Sequence, residues 1–337
     1  MDTPDESRQK RLDALNRQPL EQKQPPPELA DLRRRVRKSR KDQPGAGSAG
    51  PSRRHAADAQ PDAHTHGPEP IILRRDLPAA RERPVEAYSP PTGPHVELDQ
   101  AVSGEDVTTP GGRRVLVVRR AVADSFDKAG PLCDSLAAVL ADRTSGLWAQ
   151  LRYIGIEADL TPEDLLFFDL ETTGLSSSPL FLIGAMVWQD GQLVSHQFFA
   201  RDYSQEAGVV QLFGELAAGR KLLVSFNGKS FDAPFVLTRA AATGVPCRLD
   251  HAHLDLLHAA RRAWGARLPD CKLQTLECYV CGRTRTDDIP GHMIPDAYHA
   301  YVRTGNAGEM VGVLEHNFLD LLTLADLMTR LPAPPST

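Results

Sequence analysis

The chain has 337 residues, of which 41% are hydrophobic and 25% charged, and its formal net charge is −5. These fractions exclude wholesale disorder, and the acidic balance excludes a uniformly basic nucleic-acid binder. The longest apolar run, residues 179–188, has about half of the roughly 20 residues that a membrane-spanning helix needs. Residues 1–10 are polar and acidic, which predicts no secretory signal, and the 5 cysteines suit a reducing compartment. We therefore expect a cytoplasmic protein without membrane association.

Residues 1–85 are predicted to form a disordered, proline-rich tail. Fifteen of the 27 prolines lie in residues 1–100, a stretch that is poor in aromatic and β-branched residues. Such a composition buries too little apolar surface to offset the entropy lost on ordering. A basic run at residues 33–41 holds seven positive charges: Arg33, Arg34, Arg35, Arg37, Lys38, Arg40 and Lys41. This run is typical of an electrostatic tether to phosphate backbones and equally of a solubilising tail.

Residues 86–162 form an intermediate segment that we expect to pack on the region after it. Within this segment, residues 114–119 have the apolar pattern of a strand, and residues 131–140 have the pattern of a short amphipathic helix that begins at a proline. Neither stretch carries a motif with chemistry. Residues 332–337 are predicted to be a short tail.

Residues 163–331 alternate between strand and helix patterns. The stretches that predict strands are 165–170, 182–188, 193–200, 221–226 and 253–257, and those that predict helices are 205–218, 234–243 and 309–331. Asp190-Gly191 is a strong signal for a hairpin between the second and third strands. This order predicts an α/β fold with a mixed five-stranded sheet and helices on both faces.

Acidic residues stand at the ends of these predicted elements. Asp169 and Glu171 share one face at the end of the first strand, because side chains alternate along a strand. Asp232 follows the fourth strand, and His316 and Asp320 are four residues apart on the last helix. Taken singly, each has an ordinary interpretation: an exposed edge pair, a helix N-cap at Asp232 and a surface histidine–carboxylate pair.

Taken together, these acids predict a metal site. Four carboxylates that face one another repel and raise each other's pKa values, and two divalent cations would balance their charge. Oxygen ligands are those that Mg²⁺ and Mn²⁺ take, and two such ions clamp the attacking and leaving oxygens of a displacement at phosphorus. A histidine beside them could orient or deprotonate the attacking water near neutral pH.

Three motifs in this region resemble, in order, the exonuclease motifs of the Asp-Glu-Asp-Asp (DnaQ-like) superfamily. They are Asp169-Leu-Glu171-Thr-Thr-Gly-Leu, Asn227-Gly-Lys-Ser-Phe-Asp232 and His316-Asn-Phe-Leu-Asp320. Two further stretches are similar to the YprB-like branch: Arg285-Thr-Asp287-Asp288-Ile-Pro-Gly and Ile294-Pro-Asp-Ala-Tyr298. The resemblance covers about residues 163–331 and implies a ribonuclease H-like fold with 3′–5′ exonuclease chemistry.

The resemblance also implies the roles of individual residues. Two Mg²⁺ or Mn²⁺ ions would be held by Asp169, Glu171, Asp232 and Asp320. His316 would be the general base and the fifth catalytic residue. It precedes Asp320 by four residues, the spacing of the tyrosine-type enzymes, whereas histidine-type enzymes of the wider superfamily usually place their histidine five residues before the last aspartate.

Three residues near these motifs are candidates for substrate binding. Asn227 and Lys229 lie beside the second motif and could contact a substrate phosphate, although Asn227 equally suits a turn with its glycine neighbour. Arg285 could hold a phosphodiester or pair with Asp287 or Asp288.

Four other residues have structural interpretations that we favour over functional ones. Asp255 suits a helix cap better than an additional acid of the site. Cys271, Cys278 and Cys281 suit buried thiols better than a zinc site, since the pattern lacks a second close cysteine pair.

The sequence therefore predicts a two-metal-ion exonuclease that acts on single-stranded 3′ ends of DNA or RNA. The alternative is a catalytically weak nucleic-acid-binding accessory module that works with a helicase or another partner. The resemblance implies a helicase as a partner in either case. The residues do not distinguish DNA from RNA, or exonuclease from endonuclease cleavage.

Overall fold

The computed structural model describes residue 88, residues 93–174 and residues 178–333. The predicted tail at residues 1–85, with its basic run, lies wholly outside these described residues, and so do residues 334–337. The strands are β1 (Glu105–Thr108), β2 (Arg114–Ala121), β3 (Leu165–Thr172), β4 (Leu180–Gln189), β5 (Gln192–Phe199), β6 (Leu222–Ser225) and β7 (Ala252–Asp255). The helices are α1 (Leu98–Ala101), α2 (Ala129–Ala141), α3 (Gly146–Tyr153), α4 (Glu206–Ala217), α5 (Asp232–Thr243), α6 (Leu256–Trp264), α7 (Leu273–Tyr279), α8 (Ile294–Thr304) and α9 (Met310–Thr329).

In the described residues the strands form one mixed, seven-stranded sheet in the order β1-β2-β5-β4-β3-β6-β7. β3, β6 and β7 are parallel, and the other neighbouring pairs are antiparallel. The mixed α/β sheet confirms the predicted fold class, but the predicted number of five strands is wrong. The additional strands are β1 and β2, which extend the sheet beyond β5. β1 escaped prediction because it has four residues with alternating half-buried and exposed side chains, too short and too polar to give a strand signal.

The predicted hairpin between β4 and β5 is present. Gln189 faces Gln192 across its two-residue turn. Asp190 and Gly191 have φ angles of 50° and 79°. Positive φ at both central residues is the type I′ geometry, which aspartate tolerates and glycine favours.

Helices cover both faces of the sheet, as predicted. Phe167 of β3 shares a core cluster with Phe318 and Leu321 of α9. Its neighbour Phe168 instead contacts Phe213 of α4, with ring centroids 5.5 Å apart. Because successive side chains of a strand point to opposite faces, α9 and α4 lie on opposite sides of β3.

This architecture brings several chain segments to one edge of the sheet. The carboxyl ends of the parallel strands β3, β6 and β7 meet there, as in other open α/β sheets with a ligand crevice at that edge. Helix α9 packs across β3, β4 and β5 on the Phe167 face and reaches the same edge. Among the described helices, none is both long and apolar enough to cross a membrane.

Candidate functional site

Asp169 and Glu171 lie at the carboxyl end of β3, on the face that α9 covers. Both are half-buried. A bulge between Glu171 and Thr172 ends the regular pairing of β3 with β4. Both carboxylates therefore lie where the hydrogen-bonded pairing of β3 with β4 ends. Bulges at such positions commonly change the direction of side chains.

Asp232 is the first residue of α5 rather than its N-cap, which is Phe231. The cap interpretation of Asp232 is therefore wrong by one position. Its side chain is buried, and its carboxylate accepts backbone hydrogen bonds from its own amide and from that of Leu170. A Cβ atom on Gly228 would lie 2.9 Å from Asp232 Oδ2 and 2.2 Å from Ser225 Oγ, so this loop needs a glycine to bring Asp232 against β3.

Helix α9 places His316 and Asp320 on one side, one turn apart. His316 Nε2 lies 3.4 Å from Asp320 Oδ2, and His316 Nδ1 lies 2.9 Å from Asp288 Oδ1. Asp288 belongs to the chain between α7 and α8, which folds over the helix. His316 is buried between the two carboxylates, which is not the surface pair of the ordinary interpretation.

The four acids of the motifs lie close enough to perturb one another. Burial, with the neighbouring charges of Asp320 and Asp232, raises the pKa of Asp169 well above its usual range. Burial and the same carboxylates likewise raise the pKa of Glu171. Burial, Asp255 and Asp320 raise the pKa of Asp232 to about 7. The structure thus brings the sequence-predicted carboxylates together at one place.

The pKa values of Asp288 and His316 shift in opposite directions. Although burial opposes the change, the hydrogen bond from His316 and the charge of Arg285 lower the pKa of Asp288. Burial also opposes the change at His316, yet the bond to Asp288 and the charge of Asp320 raise its pKa. An ionised Asp288 therefore faces the imidazole near neutral pH.

Arg285 is a buried counter-ion within this acidic site. Its guanidinium donates to Glu277 Oε2 at 2.6 Å, to Asp288 Oδ2 at 3.2 Å, and to Asp320. Its side chain is only 6% exposed. The sequence allowed Arg285 to pair with Asp287 or with Asp288, and the structure shows the pair with Asp288. In the described part of the chain, no three His, Cys, Asp or Glu side chains form a ready metal cage, and Arg285 occupies one oxygen of Asp320.

Asn227 and Lys229 are exposed in the loop between β6 and α5. Asn227 has a φ of 64° and its carbonyl accepts from Ser230 and Phe231, so it forms the predicted turn. The backbone amides of Asn227 and Lys229 donate to the two oxygens of Asp255, at 2.8 and 3.2 Å. The side chains of both residues remain available to a ligand.

Asp255 is the N-cap of α6, as the sequence indicated. Its Oδ1 accepts from the amide of Leu257 at 3.0 Å, while the same carboxylate holds the loop that precedes Asp232. One buried carboxylate thus joins the ends of β6 and β7. The sequence did not indicate that Asp255 also holds the loop before Asp232. The two amides that it accepts from there are 26 and 28 residues away in the chain, too far for a local pattern to show.

Three residues outside the sequence prediction reach Asp169 or its neighbours. Asn317 Nδ2 donates to Asp169 Oδ2 at 2.9 Å, and Gln197 Nε2 donates to Asn317 Oδ1 at 2.9 Å. Glu277 is the buried partner of Arg285. Polar residues between the apolar ends of β5 were the available signal for Gln197, whereas nothing near Glu277 in the sequence points to Arg285.

The cysteines are free thiols. Cys281 is buried, and Cys271 and Cys278 are half-buried. None of them belongs to a group of possible metal ligands among the described residues.

A family model and two known proteins are similar to parts of this chain. Residues 166–332 match a family model described as RNase_H superfamily. The uncharacterized protein YprB of Bacillus subtilis (strain 168) is 34% identical over 170 residues, which are 49% of this chain and 41% of YprB. This chain therefore spans less than half of the length of that relative. The family B DNA polymerase from the hyperthermophilic archaeon Pyrobaculum calidifontis is 21% identical over 51% of this chain and 25% of that one, with a TM-score of 0.41.

Proposed function

Residues 166–332 form a ribonuclease H superfamily domain with a nuclease-type fold, and from this premise we propose that the protein is a metal-dependent nuclease. The fold implies a nucleic-acid substrate. The reaction we propose is hydrolysis of phosphodiester bonds in DNA or RNA from single-stranded 3′ ends. The 3′–5′ direction rests on the resemblance of the three motifs to those of exonucleases.

The observation that carries the proposal is the convergence of four carboxylates from three elements. Asp169 and Glu171 come from β3, Asp232 from the start of α5, and Asp320 from α9. Burial, and then their mutual repulsion, raise the pKa values of Asp169 and Glu171, and a cluster with no other use would simply cost stability. Such a donor set fits hard divalent cations.

These four side chains would hold two Mg²⁺ or Mn²⁺ ions, which when bound would supply Lewis-acid polarisation of the scissile phosphate. Cation binding would relieve the repulsion among the carboxylates. Arg285 already pairs with Asp320. On cation binding, Arg285 must either share the Asp320 carboxylate with the cation or release the carboxylate oxygen that it contacts.

In this proposal, His316 accepts the proton of the attacking water. Because Asp288 is ionised, it accepts a hydrogen bond from Nδ1–H of the neutral imidazole at 2.9 Å. That bond fixes the tautomer and leaves Nε2 as the acceptor on the side of Asp320. Because the bond to Asp288 and the charge of Asp320 raise the pKa of His316, only its neutral fraction, which grows as the pH rises, acts as the general base.

Exposed groups beside the acids supply contacts to the strand. Lys229 lies in the loop that leads to Asp232, with its ammonium free to meet a phosphate. Asn227 occupies the same loop, where its side chain could donate to a phosphate oxygen while its backbone forms the turn. Arg285 would act on the substrate only through the carboxylates that it holds.

A second candidate function is a nucleic-acid-binding accessory module with weak catalysis, working with a helicase or another partner. The observation that favours it is the ion pair between Arg285 and Asp320, together with the lack of a ready metal cage in the described residues. A protein that retains this pair on binding a strand would hold nucleic acid without hydrolysing it.

The deciding experiment uses 5′-labelled single-stranded DNA and RNA with Mg²⁺, with Mn²⁺ and with EDTA. The proteins are the wild type, Asp169→Asn and the control Asp190→Asn, which makes the same change in an exposed turn whose positive φ suits asparagine. We expect a metal-dependent ladder that shortens from the 3′ end in the wild type and control and disappears in Asp169→Asn. Binding without cleavage in all three proteins would favour the accessory module.

A further inference from the structure

We propose that Gln197 and Asn317 are positioning residues that fix the carboxylate of Asp169 and reserve one of its oxygens for the cations. This inference rests on the proposed function and concerns how the site is held. Neither residue is a ligand: Gln197 contacts Asn317, and Asn317 contacts Asp169.

The direction of each hydrogen bond in this relay is determined by a backbone carbonyl. Gln197 Nε2 donates to the carbonyl oxygen of Leu314 at 2.7 Å. Because a carbonyl only accepts, the amide nitrogen of Gln197 must face it, and the same nitrogen then donates to Asn317 Oδ1. With its oxygen taken as an acceptor, Asn317 can only offer its Nδ2 to Asp169.

Strand register explains why the single side chain of Asn317 can contact both Gln197 and Asp169. Asp169 of β3 faces Gly184 of β4, and Gly184 faces Gln197 of β5. The three residues thus form a row across the sheet, with the outer two separated by two strand spacings, or about 10 Å. The side chain of Asn317, on α9, lies over Gly184 in the middle of the row. It contacts Asp169 at one end of the row and Gln197 at the other.

Gly184 provides the space for this contact. A Cβ atom at this position would lie 2.0 Å from Asn317 Oδ1 and 2.7 Å from its Cγ. Asn317 is completely buried, so it has no solvent-side position to which it could move. The glycine therefore belongs to the relay, although it carries no polar group.

The relay has a chemical consequence for Asp169. Its Oδ2 is occupied by a neutral amide donor at 2.9 Å, which orients the carboxylate plane without adding a positive charge that would repel a cation. The opposite oxygen, Oδ1, takes no part in this bond and is the one that the relay leaves for the cations. A charged donor in the place of Asn317 would compete with the metal, whereas an apolar residue would leave the carboxylate free to rotate.

The test compares binding of Mn²⁺, followed by isothermal titration calorimetry, with kcat and KM on labelled single strands. The variants are Gln197→Met, Asn317→Ala and Gly184→Ala. Ser195→Ala is the matched control, since Ser195 lies on the same face of β5, is equally buried and bonds to Arg120 instead. Thermal unfolding of each metal-free protein shows that it is folded.

We expect each of the three relay variants to lose about 10- to 100-fold in Mn²⁺ affinity or kcat, with KM nearly unchanged, and the control to stay within about twofold. Gly184→Ala matters most, because it disturbs the relay without removing a polar group. Where one variant does not fold, the other two decide the result.

Folded relay variants with wild-type Mn²⁺ affinity and kcat would overturn the role of the relay while the proposed nuclease stands. A wild type that neither binds Mn²⁺ nor cleaves either strand would overturn both. Loss of Mn²⁺ affinity in Ser195→Ala equal to that in the relay variants would also overturn it, since general loosening of β5 would then explain the effect.

Discussion

At the scale of single residues, the environment of His316 leads to a kinetic prediction. His316 is bonded to Asp288 through Nδ1 and faces Asp320 through Nε2. If it takes the proton of the attacking water, His316→Ala should lower the single-turnover rate by about 10²–10⁴-fold. The control is His258→Ala, which alters a half-exposed histidine of α6. A loss of less than about tenfold would make His316 a structural residue.

Arg285 leads to a prediction about stability. Its removal leaves Glu277 buried without its closest charge partner, and uncompensated buried charges are costly. Arg285→Ala should therefore lower the free energy of unfolding in EDTA by about 3–5 kcal/mol, measured by urea denaturation. Arg248→Ala breaks an exposed pair with Asp250 and should lower the free energy of unfolding far less, because solvent screens such pairs. Equal losses in the two variants would contradict a buried counter-ion.

His196 leads to a prediction about pH. It is 1% exposed, neither ring nitrogen has a hydrogen-bond partner among the described residues, and burial together with Arg119 and Arg220 lowers its pKa to about 3. The unfolded chain takes up this proton near pH 6.5, so the stability present above that pH is lost as the pH falls toward 3.

Between pH 7.5 and 5, His196 should account for a loss of about 2 kcal/mol in the free energy of unfolding. The difference in stability between His196→Phe and the wild type should therefore shift by this amount in favour of the variant at pH 5. His292→Phe changes an exposed histidine and should follow the wild type at both pH values. Parallel pH curves for wild type and His196→Phe would refute the buried neutral histidine.

At the scale of elements, Asp255 joins β7, α6 and the loop that ends at Asp232. Asp255→Ala leaves three backbone amides without their acceptor and should destabilise the protein by about 2–4 kcal/mol. It should also speed hydrogen exchange at the amides of Asn227 and Lys229, which amide-resolved exchange would detect. Loss of the α3 cap in Ser145→Ala should cost about 1 kcal/mol and leave those amides protected.

The elements near the site could be predicted because their signals are local. Phe167 and Asp169 lie on one face of a short apolar strand, and Asp190-Gly191 specifies its own turn. Contacts such as that of Glu277 with Arg285, or of Gln197 with Asn317, depend on how helices and strands pack. Buried polar partners have no periodic pattern, so a sequence shows their presence but not their pairing.

At the scale of the whole molecule, the seven-stranded sheet is larger than the part that carries the motifs. β2 pairs with β5 from Leu116–Phe199 to Ala121–Val194, so β5 has a neighbour on both sides. A chain shortened to residues 163–333 would leave the backbone groups along one side of β5 unpaired. Nearly all side chains of β5 are buried in the protein, so that edge would be newly exposed and open to pairing with another copy.

We expect residues 163–333 to self-associate and residues 93–333 to remain monomeric, measured by light scattering at several concentrations. A third fragment, residues 112–333, keeps β2 together with α2 and α3, which belong to the core, and so isolates the contribution of α1 and β1. Monomeric behaviour of residues 163–333 would show that β5 tolerates an open edge.

The docking of α9 on β3 also decides when the acidic cluster can form. Asp320 and Asp169 are 151 residues apart in the chain (320 − 169), and Asp232 lies between them. During synthesis, no acidic cluster exists until residue 320 has been made and α9 has closed over the sheet, and contacts of such long range form late in folding. If the proposed nuclease activity is correct, an immature chain cannot cleave the nucleic acids around the ribosome that makes it, because the acidic site is not yet assembled.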